Sequence, residues 1–453
     1  MKKSQDERRA GSTEVSSSSS RKITRRQFTA LVSGLAAAAA VAPRKAPAQL
    51  KGTTLNVLYG TWFVPAAEEL FKDQLQDWGK QAGVTVNYES INWPQIQAKV
   101  TAAIAASAGP DVIQFWGYWP LLYKDNLVDV SDIVAGLVKD QGELYNTCER
   151  VCKIQGRFLG VPQASAFPGL GNYRISWVKE AGFDPDPAKM PDTWEKLQPL
   201  GRALKKAGRP MGQALGHSTS DPYGIYKLMW DYGVYETDES GRKVAFDAKL
   251  MTDVMTWFIG FWNEAFTPTG LSWDDTGNNR AFLSGQIGWT INGSSIYYAA
   301  KKDVPDVFKD MDHQPVFGGP KAKTTFSTMT EHVIPKYCKN QRAAKELIAY
   351  LIKKENYGKW FDLQLSYLNG PTDYWGLGYP GWKTADPRLK YFADFAKYLR
   401  LPGYAGPADA RAAEVMSKFI IVDMFARAVS GKDDAKTAVQ WAADQLKAIY
   451  ERS

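Results

Sequence analysis

The stretch "TTLNVLYGTWFVPAAEELFKDQLQDWGKQAGVTVNYESINWPQIQAKVTAAIAASAGPDVIQFW", Thr53 to Trp116, decides the fold. Thr53 to Gly60 is a short apolar, β-branched run that stops at glycine, the pattern of a buried strand. Ala66 to Gly83 places apolar residues at helical spacing and ends on glycine, a helix C-terminal signal. Val84 to Ser90 alternates as a strand does. Pro94 to Gly109 returns to helix, with proline at its start and glycine past its end. Pro110 to Trp116 reads as a third strand. Strand, helix, strand, helix and strand with short joints predict βαβ units and a parallel sheet, so the fold class is α/β. Ligands on such sheets bind outside the carboxyl ends of the strands. Trp62, after the first strand, and Trp116, Tyr118 and Trp119, around Gly117 after the third, are therefore candidate pocket residues.

Upstream, "ITRRQFTALVSGLAAAAAVAPRKAPAQ" (Ile23 to Gln49) has a basic leader, a mildly apolar core and the small-residue site Ala46-Pro47-Ala48. These are the three parts of an export signal. The core from Phe28 to Ala42 is shorter than the roughly 20 apolar residues that a membrane span needs. Thr24-Arg25-Arg26-Gln27-Phe28 resembles the twin-arginine motif, a receptor-read address. Residues 1–48 are thus expected to be a twin-arginine export signal, with a periplasmic destination. No further run of about 20 apolar residues follows, which predicts a soluble processed chain.

The leader accounts for the charge. The chain carries 56 basic and 48 acidic residues, a net +8. Ten of the basic and three of the acidic residues lie in 1–48, leaving 46 and 45, a net +1. A nucleic-acid-binding domain keeps a basic face after processing, and nothing here asks for one. The remaining 405 residues exceed what one hydrophobic core usually supports, so at least two lobes are expected. Cys148 and Cys152 stand one helical turn apart; a disulfide between them and two buried thiols are both open readings. His217, His313 and His332 are scattered without paired spacing, so no metal site is expected.

Further along, Asp192 is placed to cap a helix with Glu195 three residues on. Met251–Phe266, Asn340–Lys354 and the segment from Asp434 onward read as helices, and Ala281–Gly293 as a helix end, a turn and a strand. Five pieces then line up in order: "AAIAASAGPDVIQF" (102–115), "IQGRFLGVPQ" (154–163), "PDTWEKL" (191–197), "FLSGQIGWTINGS" (282–294) and "HVIPK" (332–336). Behind an export signal and across nearly the whole processed length, this series resembles the extracellular solute-binding proteins of bacterial ABC importers, in the carbohydrate branch that includes maltose-binding proteins. The resemblance implies a two-lobed periplasmic binding protein fold of the Venus-flytrap type, with hinge strands and a ligand caught between the lobes. It implies a monomer without a cofactor that delivers a carbohydrate to inner-membrane ABC permease subunits. It sets the expected crossings near Ala166-Phe167-Pro168, Ile291-Asn292-Gly293 and Glu331-His332. The first lobe would then hold 49–167 and 293–330, and the second 168–292 and 331–453.

A sugar presents apolar C–H faces and a rim of hydroxyls, so a site needs aromatic platforms and a few polar groups. With 16 Trp, 22 Tyr and 20 Phe, the chain has more aromatic side chains than core packing alone would use. Beyond Trp62, Trp116, Tyr118 and Trp119, the loop "ALGHSTSDPYG" (214–224) carries His217 and Asp221. They offer an imidazole and a carboxylate to hydroxyls, or equally make an Asp-Pro turn with a surface histidine. Asp275 stands ahead of a helix, as a ligand contact or a cap. Asn292 sits at the expected second crossing. In "YLNGPTDYWGLGYPGW" (367–382), Asn369, Asp373 and Trp375 form a cleft wall or pack on a lobe surface. Glu331 and His332 serve the hinge or the ligand, and Arg174 pairs with an anionic ligand group or with a structural carboxylate. Rival functions are an exported polysaccharide hydrolase or lyase, which would need two carboxylates across a glycosidic bond, and a receptor for a non-sugar ligand such as a polyamine. No G-x-S-x-G, P-loop or H-E-x-x-H motif is present.

Overall fold

The computed structural model describes residues 50–218, 222–326, 328–376, 378–393 and 395–452. The export signal expected over 1–48 and the candidate Asp221 lie outside these residues. The opening stretch folds as strand β1 (Thr54–Gly60), helix α1 (Pro65–Ala82), β2 (Thr85–Ile91), α2 (Trp93–Ala106) and β3 (Val112–Trp116). β1 pairs in parallel with β2 on one side and β3 on the other. Gly83 closes α1 in the left-handed region at φ 70°, its N–H donating to the Gly79 carbonyl, a geometry that suits glycine. Gly60 lets α2 dock: a Cβ there would lie 2.0 Å from the Trp93 ring.

The chain continues through α3 (Trp119–Leu122), α4 (Ser131–Gln141), α5 (Asn146–Cys152) and β4 (Val161–Ala164). It then enters a second sheet with β5 (Leu170–Arg174), α6 (Trp194–Lys206), β6 (Met211–Gly212), α7 (Tyr223–Asp231), α8 (Ala248–Ala265), β7 (Trp289–Asn292), α9 (Ser295–Asp303) and β8 (Met311–Gln314). The second sheet runs in the order β8-β5-β7-β6. β9 (Thr325–Phe326) leads to β10 (Thr330–Val333), which inserts antiparallel between β3 and β4 and completes the first sheet as β2-β1-β3-β10-β4. Helices α10 (Gln341–Leu351) and α11 (Lys354–Asp362) cover that sheet. β11 (Leu399–Arg400) pairs with β9, and α12 (Ala410–Ser417), α13 (Ile420–Val429) and α14 (Ala435–Tyr450) end the chain. Each sheet has its own apolar core, one containing Leu55, Val112, Phe115, Leu347 and Phe361, the other Leu197, Met251, Trp289, Phe425 and Leu446. These are the two lobes.

The expected lobe assignment of 293–330 and 331–453 is corrected by the strand pairing. Past Asn292 the chain does not cross: α9 packs Ile296 and Tyr297 beside Leu170 and Phe282, and β8 pairs with β5 through Met311–Arg174 and Gln314–Gly171. Residues 295–326 therefore belong to the second lobe. The crossing lies between β9 and β10, and residues 330–375 join the first lobe before 389–450 return to the second. Asp192 is not the cap of α6 either. Thr193 is, accepting from the Lys196 N–H at 3.2 Å, while Asp192 binds the Lys196 ammonium at 2.8 Å. Arg174 makes a structural ion pair with Asp310 at 3.0 Å. Cys148 and Cys152 are free, buried thiols.

β10 carries one unusual group. Glu331 is fully buried against Cys148, Cys152 and Gly160, and neither carboxyl oxygen has a partner among the described residues. Burial alone pushes its carboxyl well above the usual range. A carboxyl kept neutral in the folded state weakens folding increasingly as pH rises past its unfolded value. Glu331→Met, of similar volume, is expected to stabilise the protein by about 1–3 kcal/mol at neutral pH, and by more as pH rises. Urea unfolding across pH measures this; a variant no more stable than its parent would show that the carboxyl is solvated or paired.

Candidate functional site

Between the lobes lies a narrow cavity. Gln97, Trp116 and Trp119 line it from the first lobe, and Ser218, Tyr226, Phe419 and Val422 from the second. The lobes touch around it. Gln97 Nε2 donates to Ser417 Oγ at 3.2 Å, and the Tyr118 hydroxyl to the Pro402 carbonyl at 3.1 Å. Tyr118, Cys148, Val151 and Cys152 also pack on Ala412 and Ala413 of α12.

Trp116 occupies the last position of β3, where Gly117 turns the chain away at φ 60°. Its ring packs on Trp93 at 4.7 Å and Phe167 at 5.2 Å, so two aromatics fix its plane. It is 5 % exposed, and its indole N–H has no acceptor among the described residues. A buried N–H without a partner is costly. Trp119 opens α3 and lies edge-on to Phe115.

Phe419 was not singled out in the sequence. It joins α12 to α13 in the left-handed region at φ 53°, a conformation that costs a non-glycine residue roughly 1–3 kcal/mol. The strained turn presents its ring to the cavity, stacked on His217 at 4.3 Å with 5° between planes. His217 Nε2 lies 2.8 Å from Asp423 Oδ1, which fixes that stack. His217 thus meets the cavity through Phe419. Asp275 does so through Ser218, whose hydroxyl donates to it at 2.5 Å.

The other candidates are spread more widely. Trp62 sits behind the site: its N–H donates to Gln364 Oε1 at 2.5 Å, and its ring packs on Trp360, Tyr367 and Phe167. Phe167 passes that contact on to Trp116. Asn369 lies in the hinge, exchanging backbone hydrogen bonds with Ser165 and Ala166 at 2.9 and 2.8 Å. Asn292 ends β7 and is consumed there: it donates to Asn279 and accepts from the Gly293 N–H at 2.6 Å. His332 binds the Tyr59 hydroxyl inside the first lobe, where burial lowers its pKa to about 3 and so leaves the imidazole neutral near pH 7. Asp373 and Trp375 are corrections to the expected cleft wall. Trp375 lies in the first lobe's core among Tyr357, Phe361 and Tyr379, its N–H donating to Gln141 Oε1 at 2.7 Å. Asp373 is exposed beside Gly142, on α4's side of that lobe. Among the described residues no group of three or more His, Cys, Asp or Glu is arranged to hold a metal, and no helix is long and apolar enough to cross a membrane.

Solved structures share this architecture, among them three with carbohydrate ligands. The maltose-bound MalE3 of T. maritima is 18% identical with a TM-score of 0.76, covering 87% of this chain and 99% of that one. A sugar transporter of Arthrobacter chlorophenolicus A6 with bound laminaribiose is 17% identical at a TM-score of 0.73, with the same coverage. The GacH receptor of Streptomyces glaucescens, solved unliganded and with acarbose, is 16% identical at a TM-score of 0.73, covering 88% of this chain and 99% of that one. In sequence, a predicted binding protein of Brucella abortus (strain 2308) is 20% identical over 278 residues, 60% of this chain. The chain spans 66% of that relative's length. The model of the bacterial extracellular solute-binding proteins matches residues 60–358, and the chain belongs to that family.

Proposed function

We propose that this protein is the sugar-binding component of an ABC importer, exported by the twin-arginine route to the periplasm, where it acts as a monomer and hands its ligand to inner-membrane permease subunits. The family is one of binding proteins, not enzymes, and the hydrolase alternative is set aside on that ground. The observation that carries the sugar assignment is the pairing of Trp116 and Phe419 across one cavity, each from a different lobe. An aromatic platform on each lobe grips both faces of a ring only when the lobes close, so a ligand favours the closed state by its differential contacts. The sugars bound by the structural relatives are consistent with this ligand class.

Isothermal calorimetry against a panel of oligosaccharides tests the proposal, with product analysis alongside. Saturable binding without turnover is expected. Trp116→Ala and Phe419→Ala should each weaken binding by about 0.5–1.5 kcal/mol beyond the area they bury. Parent-like affinity in both variants would remove the cavity as the site, and released products would restore the hydrolase.

A further inference from the structure

A second interlobe cavity, larger than the first, is lined in part by the hinge residue Ser165. Tyr145, Thr147, Arg150 and Ser165 line it from the first lobe and hinge, and Arg400 and Tyr404 from the second. The two arginines face it from opposite lobes, and neither has a carboxylate partner among the described residues. That sets Arg400 apart from the other partly buried arginines. Arg174 is paired with Asp310, Arg388 with Asp386, Arg411 with Asp409 and Arg427 with Asp433. Arg400 donates only to its neighbouring Leu399 carbonyl, at 2.9 Å, and lies over the Tyr404 ring. The nearby acids are engaged: Asp409 by Arg411, and Glu149, next to Arg150, by Lys153 at 2.7 Å. Asp373 interacts with the Tyr145 hydroxyl but does not line the cavity.

Two guanidiniums without carboxylate partners, the exposed Arg150 and the partly buried Arg400, line one cavity from different lobes together with the hydroxyl-bearing Tyr145, Thr147 and Tyr404, a set suited to an oxyanion. Guanidinium binds carboxylate and sulfate through paired N–H donors. We propose that this cavity is an anion subsite that takes the carboxylate of an acidic saccharide, so that the solute is a uronic-acid-containing sugar rather than a neutral one. This rests on the sugar-binding assignment and narrows it. Because Arg150 and Arg400 belong to different lobes, an anion between them is held from both sides only in the closed form.

Calorimetry on the purified protein with a digalacturonate, the neutral disaccharide of the same linkage and inorganic sulfate tests the subsite. The digalacturonate is expected to bind about tenfold or more tightly than its neutral counterpart, with the difference shrinking at high salt. An Arg150→Gln/Arg400→Gln double variant should erase that preference and leave neutral affinity unchanged. The Arg150→Lys/Arg400→Lys pair should keep part of it. Unshifted melting temperatures show that the variants are folded. Sulfate binding that depends on both arginines, with competition against the digalacturonate, supports the subsite and measures what a free anion contributes. Equal affinity for acidic and neutral sugars, or a preference surviving in the glutamine pair, overturns the subsite while the sugar assignment stands. Arginine-dependent sulfate binding without any saccharide binding would sink the sugar assignment and keep the anion site. No binding of any probe would count against both.

Discussion

Replacing Trp375 by alanine is expected to lower the unfolding free energy by roughly 3–5 kcal/mol and to leave solute affinity in the folded fraction unchanged. The ring is 1 % exposed, packs on Tyr357 at 4.8 Å, Phe361 at 5.1 Å and Tyr379 at 5.0 Å, and ties α4 to the 370–376 turn through Gln141. Removing it opens a cavity and strands the Gln141 carbonyl. Gly370 marks how closely the backbone folds around it, since a Cβ there would lie 2.4 Å from that of Trp375. Trp375→Phe keeps most of the contact and loses the hydrogen bond, and should cost about 1–2 kcal/mol. Denaturant unfolding gives both values and calorimetry gives the affinity. A Trp375→Ala variant of parent-like stability with weakened binding would return the residue to the cleft.

In sequence, Trp375 reads equally as a cleft wall or as packing on a lobe surface, and its place in the core shows what a sequence holds locally and what it does not. β1, β2 and β3 were legible because a covered parallel sheet writes itself as apolar runs separated by helical periodicity and glycine stops such as Gly83. Trp116 and Trp119 followed from the rule for strand ends. The loop around Trp375 announces a turn through Asn369, Gly370 and Pro371, but the direction of its ring is set by Tyr357 and Phe361 on α11, which no local pattern reports. The crossing misplaced at Gly293 has the same origin. A strand ending in small residues looks alike whether the chain leaves the lobe or folds back, and here the choice is made by pairing between 311–314 and 171–174. Phe419 escaped notice because a phenylalanine in an apolar helical region reads as core. Only its left-handed backbone, unusual for such a residue, turns it toward the cavity. Arg150 and Arg400 lie 250 positions apart, and their shared cavity exists only once the lobes meet.

The second large effect is a dependence of stability on pH written by Glu236. This carboxyl is fully buried where the 399–406 segment meets α14, and burial raises it from 4.5 to about 7. It rises even though Oε2 accepts from the Gly403 N–H at 2.8 Å and the Tyr450 hydroxyl at 3.0 Å. The groups facing it bring no compensating cation. Tyr118 reaches it from the first lobe, Tyr226 from α7 and Tyr450 from α14, while Asp409 adds a repulsive charge and is itself held by Arg411. Between about pH 4.5 and 7 the folded protein therefore keeps a proton that the unfolded chain releases. The stability due to the neutral acid is complete below 4.5, falls through this window and is gone above 7, a loss on the order of 3 kcal/mol. Glu236→Gln retains an acceptor for Gly403 and Tyr450 but cannot ionise. Its unfolding free energy should decline less than the parent's over that window, and the difference between the two should grow to about 3 kcal/mol by pH 8. Parallel curves for the two proteins would mean that the carboxyl is already ionised in the folded state at acid pH, with a counter-charge or water reaching Oε1, which has no partner among the described residues.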